Sequence, residues 1–453
     1  MKAVRRLLCL FLCALLLSAL GVPALAAEPT PFAIPVSVSG RESVPVRAFW
    51  ESYAGNLYLS LDDLSRALSG TDKQFKLSWS NNSTDGEVFT LHMGQSASTG
   101  AVSGAPDPVR RATPEALWVT RHRLFIDESE RKYYSYRPGW RDLYLSVTDI
   151  ELGLDLTAEL QDDGSLLLLP ECPFAPEPED LRNAGFFDAV GAYLVADADT
   201  GTVLYSYNSR LALPVASLSK LMSYLLLAEA LKDGRLSMDE ELAVSDEAEA
   251  LSQTPDGIID VKAGQLVPVS ELISAMLVAS SNEAALVLAE GLYGTEDLFV
   301  EQMNRRAAEL GLRSTIFRSA HGLPVYTGGG IPAKRQNEMS ANDLFTLCRL
   351  LLDDYPRITG ITGQKFVRLD TLSYTTANSN PLVFNMEGVN GLKTGSTNRA
   401  GYCLAATLPV TVDNETHTLV LILLGAESAQ LRGQAAELLL RAARRRCERE
   451  GFR

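Results

Sequence analysis

Residues 214–222 have the sequence Pro-Val-Ala-Ser-Leu-Ser-Lys-Leu-Met, which places Ser217 three positions before Lys220. Apolar residues continue from Leu221 at the three- and four-residue spacing of a helix, so we expect the pair at the front of a helix with one buried face. Residues three apart on a helix are neighbours. A serine becomes a nucleophile when a base takes its proton, and a desolvated lysine can be that base. An S-x-x-K sequence alone can equally be the solvated start of a helix.

A second polar motif, Ser280 and Asn282 in an S-x-N pattern, follows an apolar segment that predicts a helix over Leu272–Val278. Another helix is predicted to begin near Glu283, so the motif lies in a tight turn between helices. As chemistry, the pattern predicts that Ser280 relays a proton near Lys220 and that Asn282 hydrogen-bonds a substrate amide. As structure, these side chains would only cap helices.

The third motif, Lys393-Thr394-Gly395, precedes a predicted strand that starts at Gly401. This context predicts an element of an edge strand. Lys393 would supply positive charge, Thr394 a hydroxyl for a substrate carboxylate, and Gly395 room for an extended substrate to approach the backbone. The alternative is a simple turn between strands.

The three motifs occur in this order, 63 and 113 residues apart. By chance a chain of this length contains one or two S-x-x-K matches and about one S-x-N match, and about one chain in ten contains K-T-G. The set of three is therefore far more specific than any single motif. It resembles the signature of penicillin-binding proteins and serine β-lactamases. The region from about Ala192 to Leu440 resembles the D-alanyl-D-alanine carboxypeptidases, the low-molecular-weight penicillin-binding proteins. The segments that carry this resemblance are PVASLSKLM at 214–222, MLVASSNEAA at 276–285, GLP at 322–324, GVNGLKTGST at 388–397 and AGY at 400–402.

The resemblance implies a mechanism and a substrate class. Ser217 would attack the carbonyl between two D-alanines, Lys220 would take its proton, and water would resolve the acyl-enzyme. An oxyanion hole would come from the backbone N–H groups of Ser217 and Ser396. Arg432 aligns with a family arginine near the substrate carboxylate, the alternative being an ordinary helix-surface arginine. The implied partners are peptidoglycan stem peptides ending in D-Ala-D-Ala, with β-lactams as covalent inhibitors and no cofactor.

Two positions depart from the family pattern. Glu283 stands where many members have Asp, and the segment Asn337–Leu344 has Asn where the family usually has His. Neither departure removes a catalytic group, so both bear on substrate preference. The E-x-x-L-N segment of class A β-lactamases, which holds their deacylating glutamate, has no match between Ser280 and Lys393. Slow release of penicillin is therefore favoured over rapid hydrolysis.

Strand-like segments lie at both ends of this region. Gly191–Ala196 and Thr202–Tyr205 predict a hairpin, and strands return at Gly401–Leu408 and Leu419–Gly425, with helical segments between. The pattern predicts an α/β fold with an antiparallel sheet flanked by helices. The resemblance identifies it as a β-lactamase/transpeptidase-like catalytic domain, which we place at 186–440.

The flanking regions have a different character. Short alternating segments between turn-rich stretches predict a small β-rich domain over 31–170, with short helices at Leu61–Leu68 and Ser146–Leu152. Part of it resembles the stalk domains named after the amine oxidase N-terminal domain, which implies spacing or binding. Residues 171–185, rich in proline and acid, predict a linker, and 441–453 form a basic C-terminal tail.

Composition and charge favour an exported globular protein. The 453 residues are 46% hydrophobic and 21% charged, as in ordinary folded domains. Three cations, Lys2, Arg5 and Arg6, precede an apolar run and a small-residue cleavage site, which predicts a signal peptide over 1–26. The alternative is an uncleaved membrane anchor. We therefore expect an extracytoplasmic location, in the cell envelope or secreted.

The charge also limits the partners. Loss of those three cations takes the formal charge from −15 to −18, which disfavours nucleic acid. The basic C-terminal end predicts at most a weak contact with a membrane surface, the alternative being the solvated end of the last helix.

Cysteines and histidines are widely scattered. Neither set has the spacing of a zinc site, so we expect no metal and some buried free thiols. The residues are Cys172, Cys348, Cys403 and Cys447 after the leader, and His92, His122, His321 and His417.

Two other functions stay open. One is a β-lactamase or esterase on the same fold, and the other is a catalytically silent cell-wall-binding protein. The complete set of motif residues argues against the second, because a binding module does not need all of them.

Overall fold

The computed structural model describes residues 32–50, 57–82, 86–96, 123–126, 129–132, 135–136, 143–174, 189–326 and 334–452. The chain divides into two compact units with a boundary between Pro173 and Phe174, and the second also takes in Glu130–Lys132. The predicted signal peptide at 1–26 and most of the predicted linker at 171–185 lie outside the described residues. Within the described ranges, no helix combines the length and apolarity needed to cross a bilayer.

The described part of the first unit is rich in β-structure, as expected for 31–170. Its strands are β1 Phe32–Val38, β2 Val44–Trp50, β3 Leu57–Ser60, β4 Phe75–Asn82, β5 Gly86–Met93, β6 Arg123–Ile126, β8 Ser135–Tyr136, β9 Tyr144–Ser146, β10 Thr157–Leu160 and β11 Leu166–Leu169, and β7 Ser129–Lys132 falls largely in the second unit. One sheet has the order β10-β11-β1-β2-β3-β9-β8, and another places β4, β5 and β6 side by side. Helices α1 Leu61–Ala67 and α2 Val147–Leu154 each begin after a serine whose hydroxyl accepts a backbone N–H three residues on.

The second unit is organised around a five-stranded sheet. Its strands are β12 Ala192–Asp197, β13 Val203–Tyr207, β14 Leu213–Pro214, β15 Glu241–Ala243, β16 Leu266–Pro268, β17 Val325–Tyr326, β18 Lys334–Arg335, β19 Glu338–Met339, β20 Phe366–Leu369, β21 Tyr374–Ala377, β22 Gly391–Thr397, β23 Gly401–Val412 and β24 Glu415–Ala426. The main sheet has the order β13-β12-β24-β23-β22, and every neighbouring pair is antiparallel. This confirms the predicted α/β fold, and β22 is an edge strand, as its motif predicted.

All but one of the described helices of the second unit lie between β13 and β22. They are α3 Lys220–Lys232, α4 Asp246–Ser252, α5 Val269–Ser274, α6 Asn282–Tyr293, α7 Glu296–Glu309, α8 Ala341–Asp354, α9 Arg357–Thr362, α10 Leu382–Asn385 and, after β24, α11 Ala429–Glu450. A 3₁₀ turn, Ala216–Ser219, precedes α3, and a π-helix, Ala275–Ala279, follows α5.

Helix α3 is more deeply buried than its sequence suggested. We expected one buried face, but every residue from Lys220 to Ala228 is buried. The reason is composition: the helix is almost wholly apolar around its circumference, and such a helix belongs inside a core. Its polar Ser223 is satisfied by donating to the Ala320 carbonyl at 2.6 Å.

The basic residues 441–453 are not a separate tail. Helix α11 runs without a break to Glu450 and packs against β23 and β24, with Ala443 and Cys447 buried. Arg441 and Arg446 pair with glutamates one turn away on the same helix, at 2.6 and 3.1 Å. These pairs offset part of the positive charge that suggested a membrane contact.

The four cysteines after the predicted signal peptide are free thiols. Cys348, Cys403 and Cys447 are buried, as expected for some of them, and Cys172 is exposed. Burial raises the pKa of Cys348 to about 12 and that of Cys403 to about 11. These two thiols therefore stay protonated and act as small apolar side chains.

Candidate active site

Ser217 lies on the 3₁₀ turn, and Lys220 follows it as the first residue of α3. Side chains three apart are eclipsed in a 3₁₀ helix, and the lysine Nζ lies 2.9 Å from the serine Oγ. The predicted α-helical front is thus a tighter turn. Ala216 has a positive φ of 48°, and the Ser219 hydroxyl donates back to its carbonyl at 2.8 Å. These features fix Ser217 just outside the helix.

The Lys220 side chain is fully buried. Besides Ser217, its Nζ donates to Asn282 Oδ1 at 2.8 Å and to the His321 carbonyl at 2.7 Å. These contacts satisfy all three donors of an ammonium group. Burial lowers the pKa of Lys220 to about 7, although the Glu283 carboxylate opposes the shift. An amine that is partly neutral near pH 7 is suited to accept a proton.

The S-x-N motif joins the π-helix to α6. Ser280 adopts a left-handed conformation with φ of 67° at the end of the π-helix, and Ser281 caps α6 by accepting the Ala284 N–H at 2.9 Å. Asn282 Nδ2 donates to the Asp256 carbonyl at 2.8 Å, which occupies one of its two N–H donors. Asn282 therefore holds Lys220 and the loop at Asp256. The contact of Asn282 with a substrate amide stays a prediction.

Glu283 is a buried carboxylate next to this motif. Its Oε1 accepts the Ile258 N–H at 2.7 Å, and its Oε2 accepts the Ser281 hydroxyl at 2.7 Å. The departure from Asp thus places a longer acidic side chain that reaches the loop at 256–258. Two successive residues, Asn282 and Glu283, fasten this loop beside Lys220.

Two glycines lie against the 3₁₀ turn that carries Ser217. A Cβ on Gly395 would lie 2.9 Å from both the Ser217 nitrogen and the Val215 carbonyl oxygen, closer than real Cβ contacts. A Cβ on Gly322, whose φ is +95°, would lie 2.2 Å from the Ala216 carbonyl oxygen. We predicted that Gly395 gives room to a substrate, but here its missing side chain gives room to the turn itself.

The other two residues of the third motif are buried. Lys393 is 1% exposed, and its Nζ donates to the Thr394 carbonyl at 2.9 Å. Burial, followed by the positive charges of Lys220 and Arg432, holds the pKa of Lys393 well below its usual value. The Thr394 hydroxyl donates to Ser379 Oγ at 2.7 Å. Ser379 was missed from sequence because a single serine in a loop carries no pattern.

Arg432 is not the surface arginine of the alternative interpretation. It is only 8% exposed on α11, and its guanidinium carbon lies 6.0 Å from the centre of the Tyr402 ring. Its buried Nε makes no hydrogen bond to any described residue. Tyr402 pairs across the sheet with Ser396, the residue after the third motif. The structure therefore brings the basic side chains of Lys220, Lys393 and Arg432 into one region.

Comparison with known proteins identifies the second unit. A sequence model described as D-alanyl-D-alanine carboxypeptidase matches residues 187–428, just over half of the chain. The chain belongs to this family. A curated relative, the D-alanyl-D-alanine carboxypeptidase DacF of Bacillus subtilis, is 33% identical over 247 residues, which cover 53% of this chain and 60% of the relative. DacD of Escherichia coli is 30% identical over 273 residues, 59% of this chain and 65% of the relative.

A solved structure agrees with this assignment. The peptidoglycan synthesis regulatory factor PBP3 from Streptococcus pneumoniae is 25% identical, with a TM-score of 0.51 over 56% of this chain and 73% of that chain. The chain spans less than two thirds of the length of the two curated carboxypeptidases, and the family match lies within the second unit.

Asn337 and His321 lie close to the turn that carries Ser217 and to Lys220. Asn337 Oδ1 accepts the N–H groups of Arg318 and Ser319, at 2.6 and 3.1 Å, and its carbonyl accepts the Val215 N–H. Asn in this segment therefore has a structural role. Burial and the nearby Lys220 charge lower the pKa of His321 to about 3, so its ring is neutral at pH 7.

His417 belongs to a separate cluster in this carboxypeptidase domain. Its Nδ1 lies 2.7 Å from Asp197 Oδ2, and the Asp199 carboxylate accepts the Thr418 N–H at 2.8 Å. The three side chains are close enough to hold a metal ion. Hydrogen bonds from His417 to Asp197 and from the Thr418 N–H to Asp199 hold this cluster together.

The Gly395 contact leads to a prediction. Gly395→Ala is expected to displace the 3₁₀ turn that carries Ser217 and to slow acylation of Ser217 by about 10²-fold, since small misplacements of a reacting group have effects of that order. The second-order rate of labelling by a fluorescent penicillin measures it. Gly360→Ala is the matched control, because an added Cβ there meets nothing within 4 Å. Equal labelling of both variants would contradict the packing argument.

Proposed function

We propose that the protein is a serine-type D-Ala-D-Ala carboxypeptidase that removes the terminal D-alanine of peptidoglycan stem peptides. The observation that carries the proposal is the buried Lys220 amine, 2.9 Å from Ser217 Oγ and with a pKa of about 7. Membership of the carboxypeptidase family supports the same reaction. Because peptidoglycan lies outside the cytoplasm, we place the enzyme in the cell envelope or its surroundings, which agrees with the predicted signal peptide.

The mechanism begins with the neutral form of Lys220. Ser217 Oγ attacks the carbonyl carbon between the two D-alanines and gives its proton to Lys220. The backbone N–H groups of Ser217 and Ser396 stabilise the negative oxygen of the tetrahedral intermediate. When the C–N bond breaks, the proton passes to the leaving amine with Ser280 as the relay, and D-alanine departs. Water then attacks the ester and gives a proton to Lys220. The bond between the acyl carbon and Ser217 Oγ breaks, the Lys220 proton passes to Ser217 Oγ, and the shortened peptide acid leaves.

The buried basic side chains suit a substrate with a free C-terminus. Arg432 supplies positive charge and Thr394 a hydroxyl donor for the terminal carboxylate, and a bound carboxylate would favour the protonated form of Lys393. The buried Arg432 Nε, which lacks a hydrogen-bond partner among the described residues, supports this assignment because a buried donor without a partner is costly. A bound carboxylate would relieve that cost.

D-Alanine release tests the proposal directly. The mature protein is incubated with a peptide ending in D-Ala-D-Ala and with a control peptide ending in D-Ala-L-Ala, and free alanine is measured. Release from the first peptide, together with a persistent penicillin adduct in the intact mass, is the expected result. Rapid turnover of nitrocefin would indicate a β-lactamase instead. Absence of release and of an adduct in folded protein would indicate the silent wall-binding protein.

A substitution at Glu283 tests the role of Lys220 as the general base. Glu283→Gln removes the negative charge that raises the pKa of Lys220. The pKa should fall further, and the acid limb of the pH–rate profile should move to lower pH. The acylation rate measured across the neutral range detects the shift. Glu290→Gln, on the same helix, is the matched control, and a Glu283→Gln profile that coincides with wild type would rule out this electrostatic role.

A further inference from the structure

Ser379 contacts the third motif directly. It lies in the loop between β21 and α10, and its Oγ accepts the Thr394 hydroxyl at 2.7 Å. Its own N–H donates to the Val278 carbonyl at 3.3 Å, in the π-helix that leads to Ser280. Ser379 is half-buried, so its hydroxyl stands between the second and third motifs without being sealed in the core.

The loop holds Ser379 in place through the asparagines on either side. Asn378 Nδ2 donates to the carbonyls of Thr362 and Gln364, at 2.7 and 2.8 Å, and its Oδ1 accepts the Asn380 N–H at 2.9 Å. Asn380 Nδ2 in turn donates to the Gly391 carbonyl at 2.9 Å, at the start of β22. The loop is thus fastened to the strand that carries Thr394. Side chains locked in this way can position a neighbouring group precisely.

The hydrogen-bonding capacity of the two hydroxyls determines what Ser379 can do. A hydroxyl has one donor and two acceptor positions, whereas a carboxylate only accepts. In this structure the Thr394 proton points to Ser379. When Thr394 turns its proton to a carboxylate, its oxygen is left with an acceptor position facing Ser379. Ser379 can then donate in the reverse direction, so no polar atom loses its partner.

We propose that Ser379 is a positioning residue for the substrate carboxylate, which it serves by exchanging hydrogen-bond direction with Thr394. The inference rests on the proposed carboxypeptidase function. It assigns Ser379 a role in selecting substrates with a free C-terminal carboxylate. A C-terminal amide, which is neutral and gains less from this donor, should depend on Ser379 far less.

The test compares two substrates in four proteins. Wild type, Ser379→Ala, Ser379→Thr and the control Thr375→Ala, which alters an exposed hydroxyl on β21, are assayed with a peptide ending in D-Ala-D-Ala and with its C-terminal amide. Ser379→Ala removes the hydroxyl that would donate to the Thr394 oxygen, and the loss of one such hydrogen bond corresponds to an effect of up to about tenfold. Ser379→Ala should lower kcat/KM for the acid by about that factor, mainly through KM, and change the amide by less than about twofold. Ser379→Thr keeps the hydroxyl and should keep the acid-to-amide ratio of wild type, as should Thr375→Ala.

The ratio distinguishes the outcomes. An acid-to-amide ratio that is the same in Ser379→Ala and wild type would overturn the inference while leaving the carboxypeptidase function intact. A loss of the ratio in Ser379→Thr equal to that in Ser379→Ala would also overturn it, since the hydroxyl would then be irrelevant. If wild type itself releases no D-alanine, the proposed function fails and this inference fails with it.

Discussion

Ser217→Ala should lower D-alanine release by about 10⁴-fold or more, because removal of a nucleophile leaves only binding and electrostatic stabilisation. The covalent penicillin adduct should disappear as well. Lys220 would keep its hydrogen bonds to Asn282 Oδ1 and the His321 carbonyl, so the surrounding structure should stay intact. D-Alanine release and intact mass measure the two effects.

Ser237→Ala is the matched control for this variant. Ser237 is an exposed serine in the loop after α3, so its removal should leave both release and adduct at wild-type levels. A folded Ser217→Ala protein that still released D-alanine at the wild-type rate would refute Ser217 as the nucleophile. Retention of the adduct in that variant would indicate acylation of a different residue.

The parts of the fold that the sequence predicted are those with a local signal. The hairpin of β12 and β13 follows from an Asp-Ala-Asp-Thr-Gly turn between alternating segments, and such turns are determined by a few adjacent residues. The position of Lys393-Thr394-Gly395 on an edge strand followed from the strand after it. The three motifs predicted Ser217, Lys220 and Asn282 as neighbours, and two hydrogen bonds from Lys220 show that they are.

Features that depend on packing could not be predicted in this way. The 3₁₀ geometry at Ser217 depends on close contacts of Gly322 and Gly395 with the turn, which come from segments over 100 residues away in sequence. The hydrogen bond from Asn282 Nδ2 to the Asp256 carbonyl depends on the position of the loop at Asp256. Tertiary contacts of this kind override local propensity, so short motifs named the residues without giving their hydrogen-bond partners.

The pH dependence of acylation should report the pKa of Lys220. Burial lowers that pKa from 10.5 to about 7, so the amine is mostly protonated below pH 7 and mostly neutral above it. Only the neutral amine can take the Ser217 proton. The acylation rate should therefore rise about tenfold per pH unit on the acid side and level off above the pKa. Rates of penicillin labelling across the acid and neutral range give the profile.

Lys220→Arg tests whether Lys220 acts by accepting a proton or only through its positive charge. A guanidinium keeps the positive charge but stays protonated at every accessible pH, so it cannot accept a proton. We expect this variant to lose about 10³-fold or more in acylation at all pH values, which is within the range of effects of removing a general base. Lys232→Arg, at the exposed end of the same helix, is the matched control and should keep the wild-type profile. A Lys220→Arg protein with a wild-type rate above pH 7 would show that a charge near Ser217 is sufficient, and the base would then have to be sought at Ser280 or in water.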